Sequence, residues 1–139
     1  MRTLPLAAAA LLAAATPALA GELTVTLAGI AHDKGGIRVG LYDRAETFRK
    51  EDKAVAVLAG PATPGQASVV FADVPAGRYA VMAYHDEDGD GGLDRFMGMI
   101  PTEGYALSND PEVSGPPAFD QCAFEVPAEG RTLTVTVKY

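Results

Sequence analysis

The sequence is short of the residues from which most catalytic and transition-metal centres are built. It has one cysteine, two histidines and no tryptophan among 139 residues, and aromatic residues make up only 7%. A single cysteine excludes an internal disulfide, and two histidines without a thiolate cluster argue against a zinc or copper centre. Phosphate-binding and dinucleotide-binding glycine motifs are missing, and no serine lies in a nucleophile-elbow pattern. These absences argue against an enzyme without deciding the question, and they identify no catalytic residue.

Long apolar runs are confined to the first 20 residues. Arg2 precedes a mostly apolar run that closes on Ala18-Leu19-Ala20, with small residues three places and one place before a cut. This pattern is typical of a cleaved secretory signal peptide and is too short for a membrane span. We therefore predict a signal peptide at 1–20, a single domain at 21–139, a periplasmic or secreted location, and no membrane insertion.

Positive charge is also scarce. The sequence has 11 Lys and Arg against 18 Asp and Glu, and loss of Arg2 with the signal leaves 10 against 18, a net charge of −8. An acidic exported domain repels nucleic acid and anionic lipid, so neither is expected as a partner. The charge suits cations or a basic partner, and it also serves solubility.

Strict alternation of apolar with polar residues is abundant. Residues 23–27 and 132–137 alternate leucine or valine with threonine, a period typical of half-buried strands. The chain therefore predicts an all-β fold, an antiparallel β-sandwich of about seven strands of the immunoglobulin-like or transthyretin-like kind. Further strands are predicted at about 37–41, 54–59, 67–72, 77–85 and 121–126, and only about 44–53 is expected to be helical.

Two details refine this expectation. Cys122 alternates with Phe124 and Val126, which predicts a buried small hydrophobic residue rather than a reactive thiol. Residues 86–119 show little periodicity over more than thirty positions, and long irregular loops are either functional or disordered. The apolar content of this loop predicts that it is ordered and folded onto the sandwich.

The most informative stretch is acidic and begins this loop. Aspartates occur at every second position from Asp86 to Asp90, and Asp94 follows, with Gly91 after the third carboxylate. The spacing matches positions 1, 3, 5, 6 and 9 of an EF-hand calcium loop, in which the glycine allows a sharp turn. It predicts a Ca²⁺ site whose oxygen ligands come from Asp86, Asp88, Asp90, the Gly92 carbonyl and Asp94.

The closing acid of such a loop is missing, because Met97 stands at the twelfth position. Glu103 can serve as a substitute if the chain folds back. The alternative is a solvated turn with no ion, since aspartate and glycine are common in turns. In that case the protein is a purely structural module.

His85 supports a further alternative. It follows the alternation of Tyr79, Val81 and Ala83, and it stands beside Asp86 at the predicted end of a strand. A histidine with nearby carboxylates can act as an acid–base pair in a small hydrolase-like enzyme. The simpler interpretation, a strand-end histidine bonded to the backbone or to Asp86, is preferred.

The chain resembles a family of small exported bacterial proteins, domain-of-unknown-function family 2141. The resemblance rests mainly on the segments 34–42, 79–94, 98–109 and 115–119, and it covers nearly all of the sequence after residue 20. Asp88 and Asp90 stand where asparagine is common in the family, which adds charge for a cation. The resemblance implies export and a small β-domain but no reaction. We therefore expect a non-catalytic exported module that binds an unknown protein or polymer partner.

Overall fold

The computed structural model describes residues 20–91, 95–96, 100–101 and 103–139, with backbone only for 95–96 and 100–101. Ten strands form in this part of the chain: β1 (Ala20–Ile30), β2 (Gly36–Tyr42), β3 (Ala56–Pro61), β4 (Gly65–Pro75), β5 (Gly77–Asp86), β6 (Arg95–Phe96), β7 (Ile100–Pro101), β8 (Tyr105–Leu107), β9 (Phe124–Val126) and β10 (Arg131–Thr136). The strands are joined by a 3₁₀ helix (Glu51–Lys53) and one short helix, α1 (Phe119–Cys122). Most of the predicted signal peptide, residues 1–19, lies outside the described residues.

Two sheets pack face to face. One has the strand order β10–β1–β4, and the other has the order β3–β2–β5–β8, with β9 pairing to β5. The predicted all-β sandwich is therefore confirmed. One pairing differs from the expectation, because β1 and β10 run parallel, with Val25 opposite Leu133. Local alternation cannot reveal this, since it reports which face a residue occupies and not the direction of its neighbour.

The main core lies between the sheets and explains the alternation. Leu23, Val25 and Leu27 of β1 are fully buried there against Val39 of β2 and Val81 of β5. A second apolar cluster covers the outer face of the β2–β5 sheet and contains Tyr42, Phe48, Ala80, Leu107, Phe119 and Cys122. The second sheet is therefore covered on both faces, which positions polar groups at the end of β5 in buried surroundings.

The segments with weak periodicity account for most of the differences from prediction. The predicted helix at 44–53 is a series of turns followed by the 3₁₀ helix at Glu51–Lys53. Cys122 is buried as predicted, but it ends α1 instead of lying in a strand. Burial raises the pKa of its thiol to about 11, so the neutral thiol dominates at physiological pH.

The long loop at 86–119 is ordered where it is described. Tyr105–Leu107 forms β8 and pairs with β5, and Ser108 is fully buried. Its hydroxyl accepts a hydrogen bond from the Val81 backbone N–H at 2.9 Å. The loop is therefore fixed along β5, as the apolar content predicts. No helix in the described ranges is long and apolar enough to span a bilayer.

Candidate metal site

Strand β5 carries two polar clusters on opposite faces of its sheet. Successive side chains of a strand point to opposite faces. His85 follows the main-core residues Val81 and Ala83, whereas Asp86 follows Ala80 and Met82 on the outer face. We name them the histidine cluster (His32, His85, Glu87) and the acidic cluster (Asp86, Asp88, Asp90, Glu103).

The acidic loop begins as a tight turn directly after β5. Gly89 and Gly91 have φ angles of 70° and 77°, in the left-handed region that favours glycine. The Gly89 backbone N–H donates to the Asp86 carbonyl at 3.3 Å, and the Gly91 N–H donates to Asp86 Oδ2 at 2.9 Å. The Asp90 N–H donates to Asp88 Oδ1 at 3.1 Å. The predicted sharp turn at Gly91 is therefore confirmed, and it folds the loop over Asp86.

A tyrosine contacts the far end of this turn. The Tyr84 hydroxyl lies 3.1 Å from the Gly91 carbonyl oxygen and 3.2 Å from Glu51 Oε2. Arg38 in turn donates to Glu51 Oε1 at 2.7 Å. Burial and the Glu51 carboxylate raise the pKa of Tyr84, so the hydroxyl keeps its proton and remains a donor. None of these three contacts is apparent from the sequence.

The acidic cluster brings together oxygens from two distant segments. One carboxylate oxygen from each of its four residues lies within 4.8 Å of the other three. Asp88 and Asp90 are exposed, whereas Asp86 is 6% exposed and Glu103 is 5% exposed. Ligands on opposite sides of one calcium ion stand about 4.6–5.2 Å apart, twice the usual Ca–O distance. The four oxygens are therefore close enough to contact one ion.

Asp86 is the buried carboxylate that dominates the electrostatics of the acidic cluster. Its Oδ1 is buried and receives no hydrogen bond from the described residues. Burial raises the pKa of the Asp86 carboxyl; the Gly91 N–H opposes this, and the nearby Asp88 and Asp90 carboxyls add to it. An ionised carboxylate accepts hydrogen bonds and donates none, so neighbouring carboxylates cannot satisfy it. A proton or a cation can.

The structure brings together four of the six predicted ligands. Asp86, Asp88 and Asp90 converge as the spacing predicts, and Glu103 folds back to join them. Gly92 and Asp94 lie outside the described residues, so their predicted ligation stays a prediction. Glu103 reaches the cluster because the His85 backbone N–H donates to the Gly104 carbonyl at 2.7 Å.

The histidine cluster is organised differently, since internal hydrogen bonds engage its ring nitrogens. His85 Nε2 lies 2.6 Å from the Lys34 carbonyl oxygen and must donate to it. His85 Nδ1, 2.8 Å from the Tyr139 hydroxyl, is then the acceptor. His32 Nδ1 accepts from the Lys34 N–H at 3.2 Å, so Nε2 donates to Glu87 Oε1 at 2.7 Å.

These bonds bear on the alternatives for His85. The side chain is fully buried, and both of its nitrogens are engaged by protein groups. It offers no lone pair to a substrate or to a metal unless a bond is broken. The geometry therefore disfavours His85 as the base of a hydrolase-like enzyme, and it favours the predicted role of a strand-end histidine bonded to the backbone.

The contact between His32 and His85 joins residues far apart in the chain. They are separated by 53 positions, yet their ring centroids are 4.5 Å apart. The reason is the pairing of β2 with β5, which sets Gly36 opposite Asp86 and brings the β1–β2 turn to the end of β5. Such long-range pairing leaves no local signal in the sequence.

Comparison with known proteins gives one result. A family model described as "Uncharacterized protein conserved in bacteria (DUF2141)" matches residues 25–134. The matched range contains part of β1, all of β2 to β9 and all four residues of the acidic cluster. Neither the curated proteins nor the solved structures contain a match to the chain.

Proposed function

The chain belongs to the DUF2141 family, and from this premise we propose that it is an exported, non-catalytic β-sandwich whose acidic cluster binds Ca²⁺. The observation that supports this most strongly is Asp86, a buried carboxylate whose Oδ1 receives no hydrogen bond from the described residues. Three further carboxylates converge on it from the same loop and from residue 103. A bound cation satisfies this oxygen and offsets the repulsion among the four charges.

The donor set favours calcium over other ions. Carboxylate and carbonyl oxygens suit hard cations, whereas zinc and copper prefer histidine and cysteine. Magnesium requires near-ideal octahedral geometry at short distances and keeps several of its waters. Calcium accepts six to eight oxygens in flexible geometry. Four carboxylates together with the Gly92 carbonyl and Asp94 can supply that number.

The proposed ion joins two parts of the long loop. Asp86, Asp88 and Asp90 precede β6, and Glu103 follows β7, so one ion contacting all four closes the segment 86–103. The closed loop then presents its surface to a protein or polymer partner. Calcium sites of extracellular modules have dissociation constants of about 10⁻⁴–10⁻³ M. Such weak binding fits an exported domain that lacks the usual twelfth-position glutamate.

The calcium site is tested by thermal unfolding of calcium-free protein. At ten times Kd, calcium adds about 1.4 kcal/mol to the free energy of unfolding, which raises Tm by about 4–8 °C. Chelator should reverse the rise, and magnesium should reproduce it poorly. Asp88→Ala should abolish it, and Asp90→Asn should only weaken it, because an amide oxygen still binds but brings no charge.

The matched control is Asp52→Ala, which removes one exposed carboxylate outside the cluster. Its calcium response should equal that of the wild type. If Tm of the wild type does not respond to millimolar calcium, the site does not bind the ion. The acidic loop is then a solvated turn in a structural module.

Export is tested separately. The proposed signal peptide at 1–20 predicts that protein recovered from the periplasm or medium begins at Gly21. N-terminal sequencing or intact mass measures this directly. Exported protein that retains Met1 would contradict the proposal.

A further inference from the structure

We propose that Tyr139 is a positioning residue for the calcium site, because it connects the two chain segments that supply the buried carboxylates. This inference rests on the proposed function. Asp86 and Glu103 are the two buried members of the acidic cluster, and they are 17 positions apart in the sequence. Tyr139 contacts the residue next to each of them. It belongs to neither candidate metal cluster.

On the β5 side, Tyr139 holds His85. The Tyr139 hydroxyl donates to His85 Nδ1 at 2.8 Å, since His85 Nε2 is committed to the Lys34 carbonyl. The same hydroxyl oxygen accepts the Ala31 backbone N–H at 3.0 Å. These bonds fix the ring of the residue that immediately precedes Asp86.

On the other side, Tyr139 packs against Gly104, which follows Glu103. A Cβ at Gly104 would stand 2.5 Å from Tyr139 Cε1, so the ring lies directly on this backbone. Two hydrogen bonds between Tyr105 and Lys138, of 2.9 and 2.8 Å, hold the segment after β10 in place. The Gly104 carbonyl also accepts the His85 N–H at 2.7 Å. The Tyr139 ring thus packs on the backbone next to Glu103, which the hydrogen bond from His85 holds beside the end of β5.

The consequence concerns the separation of the two buried carboxylates. A cation site needs its ligands at a fixed distance, and loss of a residue that orients the ligands typically weakens metal affinity 10–100-fold. Tyr139 is also 60% exposed. Removing its side chain therefore leaves no large core cavity, and its effect on the site is separable from its effect on the fold.

The test measures calcium affinity and calcium-free stability in the same variants. Calorimetric titration of Tyr139→Ala should give a Kd at least about 10-fold weaker than the wild type. Tyr139→Phe keeps the ring on Gly104 but loses the hydroxyl, so it should weaken Kd less. Gly104→Ala displaces the ring from the other side and should also weaken Kd. The double variant with Tyr139→Ala should lose less calcium-binding free energy than the sum of the losses in the two single variants.

The control is Tyr79→Phe, which removes a hydroxyl that donates to the Pro75 carbonyl at 2.7 Å, away from the cluster. It should lower stability and leave Kd unchanged. If Tyr139→Ala lowers only calcium-free stability, with the wild-type Kd intact, the positioning role is wrong while the calcium site stands. If the wild type itself does not bind calcium, both proposals fail.

Discussion

The histidine cluster and the acidic cluster lie on opposite faces at the end of β5 and take alternate residues there: His85 and Glu87 belong to the first, and Asp86 and Asp88 to the second. In the histidine cluster, each ring nitrogen meets a backbone group, a hydroxyl or a carboxylate within 3.2 Å. In the acidic cluster, Asp86 Oδ1 is buried and no described residue donates to it. Each cluster has a buried residue at the end of β5, yet only His85 has all of its polar side-chain atoms engaged by described groups.

The difference follows from the chemistry of the side chains. A neutral imidazole both donates and accepts, so one backbone group and one side chain satisfy the two nitrogens of each ring. Ionised carboxylates only accept hydrogen bonds, so four of them cannot supply donors to one another. The histidine cluster can therefore stabilise the fold through its own hydrogen bonds. The buried carboxylate of the acidic cluster requires a proton or a cation, and this difference leads to the calcium proposal.

The largest expected effect concerns Gly35, where the two clusters meet. Gly35 has a φ of 68°, and a Cβ there would stand 1.9 Å from the Asp86 carbonyl oxygen. Gly89 has a φ of 70° and no atom within 4 Å of an added Cβ. Gly89→Ala should therefore cost only the left-handed penalty, about 1–2 kcal/mol. Gly35→Ala adds a steric cost, for about 2–5 kcal/mol in all.

Urea unfolding of the two variants measures the difference. Both substitutions impose the same backbone strain, so any excess for Gly35→Ala reports the close approach to Asp86. Equal losses of unfolding free energy in the two variants would contradict the packing of the β1–β2 turn against the end of β5.

The second prediction uses pH. The pKa of Asp86 is raised in the folded protein, mainly by burial, so the folded state binds that proton more tightly than the unfolded state does. Its contribution to stability is therefore present below the unfolded pKa and is lost as pH rises through the raised folded value. Without calcium, the wild type should lose stability relative to Asp86→Asn as pH rises across this window.

Unfolding free energies of both proteins, measured against pH without metal, give the required difference. Carboxylates that do not interact with Asp86 titrate alike in both proteins and cancel, so the difference reports Asp86 and its coupling to Asp88 and Asp90. Saturating calcium should remove the trend at the upper end of the window, because the ion replaces the proton. If the unfolding free energy of the wild type instead rises relative to that of Asp86→Asn as pH rises, the protein alone stabilises Asp86 as an anion.

The smallest expected effect lies in the histidine cluster. His32 is partly exposed, and besides its ring contact with His85 it makes one hydrogen bond to Glu87 at 2.7 Å and one to the backbone. Exposed pairs contribute about 0.2–1 kcal/mol. His32→Gln should cost no more than about 1 kcal/mol, with and without calcium. Micromolar zinc should change Tm of this variant and of the wild type equally, and a zinc shift that depends on His32 would show that the cluster binds metal.

The sequence predicts well wherever a property is local. Alternation at 23–27 and 132–137 identifies strands and their buried faces, and the spacing of Asp86, Asp88 and Gly91 identifies the turn that gathers carboxylates. Glu103 is predicted only as a substitute ligand, because nothing local brings it back to the loop. Its position near the loop depends on the pairing of β8 with β5, which fixes the neighbouring residue Gly104 beside His85.

The remaining features depend on contacts between distant segments. The parallel pairing of β1 with β10 and the contact of His32 with His85 arise from strand register across the fold. The role of Tyr139 requires the segment after β10 to reach Gly104, more than thirty positions away. A single sequence contains no periodic signal for such contacts, so they emerge only when both sheets are assembled.

The most direct test of the central claim is the effect of Asp86→Asn measured with and without calcium. Asparagine preserves the shape of the side chain and an oxygen for the Gly91 N–H, and its amide can donate to the neighbouring carboxylates. Without calcium it should raise the free energy of unfolding by about 1–3 kcal/mol, because a buried acceptor with no donor is removed. In saturating calcium it should be less stable than the wild type, because a charged ligand is lost. A loss of the same size in both conditions would contradict the claim that the acidic cluster depends on an external cation.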